Sequence, residues 1–178
     1  GPFGVQFIPK PMQSWLGTGL PWTLAYLAMA LLLLAAAYLA LERLVKSPWG
    51  RVLRAIREDE DAASSLGKRS FTVRLQSFVI GSMLMGLGGA VYAHFVGFIA
   101  PEDFLPILTF QLWAMLIVGG SGNNRGAVIG GFIVGVLENL VGAYISPGYK
   151  DGVALVLFMA VILFKPEGLL GRPEERKV

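Results

Sequence analysis

Long charge-free apolar runs alternate with short charged segments along this chain. Pro21 to Leu41 is rich in Leu and Ala, and Leu75 to Ala100 is a second such stretch interrupted only by His94. Each is long enough to cross the roughly 30 Å hydrocarbon layer, which takes about 20 apolar residues as helix. Three further apolar segments follow, at about Leu105–Gly120, Ala127–Ile145 and Gly152–Phe164. The last reaches only about 20 Å at 1.5 Å per residue, so it needs Tyr149 and Lys150 at one end and a snorkelling Lys165 at the other, or a thinner bilayer. Residues 1–20 carry Pro2, Pro9, Pro11 and the single charge Lys10, which predicts an irregular loop along a membrane interface. Pro21 suits a first helical turn, and Trp15 and Trp22 sit where interfacial aromatics belong. The pattern predicts an all-α fold, a polytopic transmembrane helical bundle of about five spans.

Composition strengthens that reading. The 178 residues are 54% hydrophobic, with 15 Lys and Arg against 12 Asp and Glu, and the mean hydropathy is +0.62. The charges are uneven: residues 42–74 hold 13 of them and residues 165–178 hold 7, which leaves 7 for the rest of the chain. Soluble domains carry roughly 25% charged residues throughout, so a disordered chain and an ordinary soluble domain are both excluded. The net charge of +3 could suggest nucleic acid, but topology explains it better and no nucleic-acid partner is expected. Arg43, Lys46, Arg51, Arg54, Arg57, Lys68, Arg69 and Arg74 all fall between the first two runs, which marks that loop as cytoplasmic. Five spans then place residues 1–20 outside and return the tail 165–178, with Lys165, Arg172, Arg176 and Lys177, to the cytoplasm. Cysteine is absent, which excludes disulfide and thiolate chemistry. Gly1-Pro2-Phe3-Gly4 is no signal peptide, and the chain reads as a piece of a longer one.

The charged loop has structure of its own. Ser47-Pro48 offers a cap and a first-turn proline, and Gly67 is placed to end a helix. A helix of about five turns is expected between them, then a glycine turn, then a second cap at Lys68-Arg69-Ser70 leading into the next span. Trp49, Val52, Leu53, Ile56, Ala63 and Leu66 fall on one side at helical spacing, while Arg54/Glu58 and Arg57/Asp61 are i,i+4 pairs on the other. Such a helix could lie on lipid headgroups. However, three arginines against Glu58-Asp59-Glu60-Asp61 leave it at −1 overall between Trp49 and Gly67, whereas a headgroup binder wants a Lys/Arg-rich face. Mixed charge at fixed spacing suits a protein partner better.

These residues are also recognisable. The run from Ser47-Pro48-Trp49-Gly50-Arg51 through Arg57-Glu58-Asp59-Glu60, then Asp61-Ala62-Ala63-x-x-x-Gly67, resembles the cytoplasmic coupling loop of permeases of branched-chain amino-acid ABC transporters. In that family the loop carries a Glu-Ala-Ala-x-x-x-Gly motif that docks into a cleft on the ATP-binding subunit. Asp61 stands at the Glu position here, and Ser64-Ser65 replaces the more usual helix-forming pair. The resemblance continues through Ile8-Pro9-Lys10-Pro11, Tyr92-Ala93-His94-Phe95 to Ala100-Pro101-Glu102, Gly119-Gly120-Ser121-Gly122 to Gly126, and Phe164-Lys165-Pro166-Glu167-Gly168-Leu169-Leu170-Gly171.

It implies that residues 1–178 form a single membrane domain, the C-terminal portion of an inner-membrane permease. Residues 1–20 are then an extracytoplasmic loop, 47–70 the coupling loop and 165–178 a cytoplasmic tail. The implied partners are cytoplasmic ATP-binding subunits, a second permease subunit, identical or not, and an extracytoplasmic substrate-binding protein, all in or against the lipid bilayer. ATP and Mg belong to the ATPase, with no cofactor in this chain. The residues assigned to ATPase coupling are Arg54, Arg57, Glu58, Asp59, Glu60, Asp61, Ala62, Ala63 and Gly67.

The residues agree with an energy source elsewhere. No Gly-x-x-x-x-Gly-Lys-Ser/Thr occurs, so the chain has no phosphate cradle, and no Ser-His-Asp, Cys-His or paired-acid arrangement supports an enzyme. His94 has no Cys, His or paired carboxylate near it in sequence, so no metal site is expected. Gly86 with Ser82 and Ala90, Gly89 with Ala93, Gly126 with Gly130 and Gly131 with Gly135 stand in small-x-x-x-small relation, where helix packing accounts for them more readily than pore lining. Glu138 is different, because an intramembrane carboxylate is costly and faces a cavity or a partner. It either contacts a translocation path, with Gln111 and Asn139 as further polar groups at that depth, or accepts hydrogen bonds from a broken neighbouring helix. Glu102 and Asp103 could face a binding protein, though a solvated loop explains them as well. Three rival readings remain: an ion-coupled secondary transporter with Glu138 as titrating group, a urea or short-amide permease of the same family, and a non-transporting scaffold.

Overall fold

The computed structural model describes residues 4–120, 122–165 and 167–171, without the side chains of residues 102, 147, 150 and 151. The expectations placed on Gly1 to Phe3, on Ser121 and Pro166, on the side chains of Glu102 and Lys150, and on Arg172, Arg176 and Lys177 lie outside the described residues. The chain forms two compact units, 1–100 and 101–178, and the fold is all-α. In order come α1 (Gln13–Leu16), α2 (Leu20–Lys46), α3 (Pro48–Glu58), α4 (Glu60–Ser65), α5 (Ser70–Val96), α6 (Pro106–Gly119), α7 (Asn124–Tyr144) and α8 (Lys150–Phe164), with single 3-10 turns at Pro101–Phe104 and Pro147–Tyr149. Three of these, α2, α5 and α7, are long and apolar enough to cross a membrane, and Pro106–Gly119 and Gly152–Phe164 are shorter apolar helices.

In the first unit α2 and α5 run antiparallel and touch at one end through aromatic rings. The Tyr26 hydroxyl donates to the Val91 carbonyl at 2.6 Å, Trp22 stacks on Phe95 with centroids 6.1 Å apart, and Trp22 Nε1 donates to the Pro11 carbonyl at 2.8 Å. Lys10 Nζ lies 5.2 Å from the Trp22 ring centre, a cation–π distance. The segment before α1 is held against the chain after α5 by an antiparallel bridge between Val5 and Ile99. Between this end and the segment that joins them both helices are largely bare: only 6% of each apolar window is buried. Apolar surface on that scale is stable only against lipid or further helices.

The second unit packs α6, α7 and α8 around Ala114, Val118, Val134 and Ala154, with Leu157 and Phe158 against them. Glycine lets α6 and α7 approach. A Cβ on Gly119 would stand 1.8 Å from the Gly126 carbonyl oxygen, and one on Gly130 would stand 2.0 Å from that of Met115. The chain after α8 then returns to the α6–α7 turn. Leu169 N donates to Val118 O at 2.9 Å and Leu170 N to Gly119 O at 3.0 Å, while Asn123 Nδ2 donates to Leu170 O at 3.1 Å. Two glycine-containing stretches far apart in sequence, around 119–126 and 165–171, thereby become one structure. Gly168, at φ +80°, could not carry a side chain there, because its Cβ would lie 2.4 Å from the Gly120 Cα.

Candidate functional site

The segment between α2 and α5 is a braced corner. Ser47 accepts from Gly50 N at its hydroxyl, which caps α3, and Pro48 occupies the first turn. The chain turns so sharply that a Cβ on Gly50 would stand 2.2 Å from the Val45 carbonyl oxygen, so only glycine fits. Arg54 Nη1 donates to that same Val45 oxygen at 3.1 Å. Trp49 Nε1 donates to Gln76 Oε1 at 2.8 Å, which ties α3 to α5.

The single five-turn helix expected here is broken. Asp59 is extended, at φ −154° and ψ 105°, and its side chain accepts from Ala62 N at 2.9 Å. An aspartate that caps the next turn competes with the helix that would run through it, so α3 ends at Glu58 and α4 begins at Glu60. The break removes the helical register between Arg57 on α3 and Asp61 on α4, while Arg54 and Glu58 stay on one helix. Neither Arg54/Glu58 nor Arg57/Asp61 forms an ion pair among the described residues; Glu60 pairs instead with Arg74 of α5. The apolar side also ends early: Ile56 and Ala63 are buried, but Leu66 is 80% exposed.

α4 closes as a Schellman motif. Lys68 N donates to Ala63 O at 3.2 Å and Gly67 N to Ser64 O at 2.9 Å, with Gly67 at φ +77°, the left-handed conformation this ending uses. The second cap expected at Ser70 does not form. Arg69 precedes α5 without a side-chain cap bond, because the buried Ser70 hydroxyl is taken by Ser64 Oγ at 2.8 Å. The corner is thus held to α2 and α5 by side chains of α3 and to α5 by side chains of α4.

The break also sorts the charges. Arg51, Arg54 and Arg57 lie on α3, whereas Asp59, Glu60 and Asp61 form the turn into α4. Arg54, Arg57 and Arg74 wall a groove of about 410 Å³ floored by Leu53 and Ile56. Arg74 had no signal in the sequence beyond its charge, since it lies fourteen positions from its ion-pair partner Glu60.

Among the described residues, Gln111, Glu138 and Asn139 line no common groove. Glu138 is buried at 5% exposure, on the face of α7 that also buries Gly126, Gly130 and Val134. Asn139 is exposed and donates to the Gly135 carbonyl of its own helix at 2.7 Å. It lines a groove of about 390 Å³ with Gly131, Phe132 and Gly135, while Gln111 lines another of about 220 Å³ with Phe110 and Gly152. The glycines divide in the same way. Gly126 and Gly130 meet α6, whereas a Cβ at Gly86, Gly89, Gly131 or Gly135 would meet nothing within 4 Å.

Residues 2–162 match the family model for the permease component of branched-chain amino acid transport systems. The chain is 37% identical over 158 residues to the high-affinity branched-chain amino acid permease protein LivH of Salmonella typhimurium, covering 88% of this chain and 48% of that protein. It is 36% identical over 134 residues to BraD of Pseudomonas aeruginosa, covering 75% of this chain and 43% of that one. A probable LivM permease of Methanocaldococcus jannaschii is 29% identical over 162 residues, covering 84% and 46%. The chain therefore spans about half the length of the curated relatives it matches. No solved structure matches it.

Proposed function

Since the chain belongs to the permease family of branched-chain amino acid transport systems, we propose that it forms part of the pathway of an ATP-driven importer for branched-chain or related amino acids. It is an integral membrane protein, and on this reading it sits in the inner membrane with residues 47–70 and 165–178 on the cytoplasmic side. ATP and Mg are held by separate ATPase subunits. A second permease subunit completes the pathway, and an extracytoplasmic binding protein delivers substrate. The single observation that supports coupling through residues 47–70 is their bracing. A load on α4 reaches α5 through Glu60–Arg74 and Ser64–Ser70, and a load on α3 reaches α2 through Arg54 and Val45.

The docking surface is the acidic half of the segment, Glu58, Asp59, Glu60, Asp61 and Ala62 up to the turn at Gly67, with Ala63 buried beneath it; Arg54 and Arg57, which the family resemblance also assigns to coupling, stand apart on α3. Nucleotide-driven closure of the ATPases pushes this surface and tilts the attached spans between inward- and outward-open forms. Reversing Asp61 to Arg should separate the ATPase from the purified complex and stop uptake. Retained association with normal uptake would refute the docking assignment. Neither the ion-coupled reading nor the amide-permease reading is favoured by the relatives, whose names are those of branched-chain amino acid permeases.

A further inference from the structure

The sum of charge over the segment argued against a lipid contact, but the break at Asp59 makes that sum misleading. The acids belong to the turn and to α4, and α3 keeps Arg51, Arg54 and Arg57 against Glu58 alone. With Arg74 from α5, the groove floored by Leu53 and Ile56 has three guanidinium walls, of which Arg74 is paired with Glu60. Arg54 donates to the Val45 carbonyl at 3.1 Å, which uses one arm of its fork and leaves others for a ligand. Arg57 makes no bond among the described residues.

The depth of the groove follows from the helices that carry it. α2 and α5 each have 27 residues, about 40 Å of helix across a hydrocarbon core of roughly 30 Å. Their ends therefore reach the headgroup layer. Val45 is in the last turn of α2, and Arg74 is one turn into α5, so the groove opens where hydrocarbon gives way to headgroups. Its surroundings also suit a lipid. Phe71 and Phe78 share the α5 face of Arg74 at helical spacing and are 78% and 72% exposed, offering an apolar wall beside the arginines.

We propose that this groove binds the phosphodiester of an anionic phospholipid, with Arg57 and Arg54 on the phosphate and an acyl chain along Phe71 and Phe78. Arginine pairs with phosphate oxygens in a bidentate fork, and 410 Å³ falls within the roughly 300–1,000 Å³ of small-molecule sites. The coupling segment then has two faces: an acidic one for the ATPase and a basic one on the bilayer. This second face does not depend on which subunit docks the first.

The test titrates the intact permease–ATPase complex with dioleoyl phosphatidylglycerol or dioleoyl phosphatidylcholine and counts bound lipid by native mass spectrometry. Phosphatidylglycerol should be retained at least about fivefold more tightly, and Arg57→Gln should lower its retention about fivefold, the worth of one surface arginine. Arg57→Lys, which keeps the charge and loses the fork, should retain less than the unchanged protein and more than Arg57→Gln, and Asp61→Arg should leave retention unchanged even where the ATPase is lost. Equal retention of the two lipids, or no effect of Arg57→Gln, overturns the proposal. So does release of the ATPase by Arg57→Gln with phosphatidylglycerol still bound, which would assign the arginines to the protein partner. Arg57→Gln breaks no internal bond, so misfolding does not confound the result.

Discussion

Replacing Gly130 or Gly131 with alanine tests, one residue apart, which face of α7 is packed within this chain. A methyl at Gly130 would stand 2.0 Å from the Met115 carbonyl oxygen, 2.7 Å from the Gly119 nitrogen and 2.9 Å from the Gly119 Cα. All three are backbone atoms, so no rotamer change relieves them. Reaching an ordinary contact of 3.4 Å requires α6 and α7 to part by more than an ångström. That would also loosen Val118 and Val134, which are 2% and 0% exposed. At Gly131 the same methyl meets nothing within 4 Å. Both substitutions gain about 1 kcal/mol of helix propensity, so this contribution cancels between them. What remains is the cost of overpacking, about 1–3 kcal/mol, or about 5- to 150-fold in the folded fraction. Unfolding the full permease from mild detergent with sodium dodecyl sulfate, followed by far-ultraviolet circular dichroism, measures the difference in midpoint. Equal midpoints for Gly130→Ala and Gly131→Ala would refute the packing described here.

Three further substitutions probe other parts of the chain. Asp59→Ala removes the acceptor that Ala62 N uses at 2.9 Å and should destabilise α4 by about 1 kcal/mol; amide exchange should quicken over residues 60–66 and not over α3, and unchanged exchange would show that the cap does not stabilise α4. Tyr26→Phe deletes a 2.6 Å bond to Val91 O from a side chain only 3% exposed, at a cost of about 1 kcal/mol; thermal unfolding in detergent should fall measurably, and no fall would mean that the bond adds nothing net. If Glu138 contacts the translocation path, Glu138→Gln, which keeps the volume and removes the charge, should lower uptake while the ATPase still co-purifies; unchanged uptake would leave Glu138 a packing side chain beside Gly130 and Val134.

Much of the architecture is legible in the sequence, because its signals are local or additive. Apolar helices show as runs without charge, and the five apolar segments lie within a few residues of α2, α5, α6, α7 and α8, of which α2, α5 and α7 are long enough to span. Ser47-Pro48 starts α3 and Gly67 ends α4 by short-range bonds, from Gly50 N to the Ser47 hydroxyl and from Lys68 N to Ala63 O, so residue type and spacing suffice to find them. The coupling helix failed for an equally local reason: periodicity counted Asp59 as one more helical position and gave no weight to its power to cap the next turn. The charge sum over the same stretch then averaged two surfaces that the break separates.

What only the tertiary structure decided are choices among residues that look alike in sequence. Gly126, Gly130, Gly131 and Gly135 share the same small-x-x-x-small spacing, yet the first two meet α6 and the last two meet open space; which face of α7 turns inward depends on α6 and α8 and not on the motif. Arg74 became the partner of Glu60, and the stretches 119–126 and 165–171 became one turn, through contacts between positions far apart in sequence. Helix formation in lipid is settled by each segment's own hydropathy and hydrogen bonds. Pairing between segments depends on close packing and long-range bonds, and no single window of sequence contains both partners.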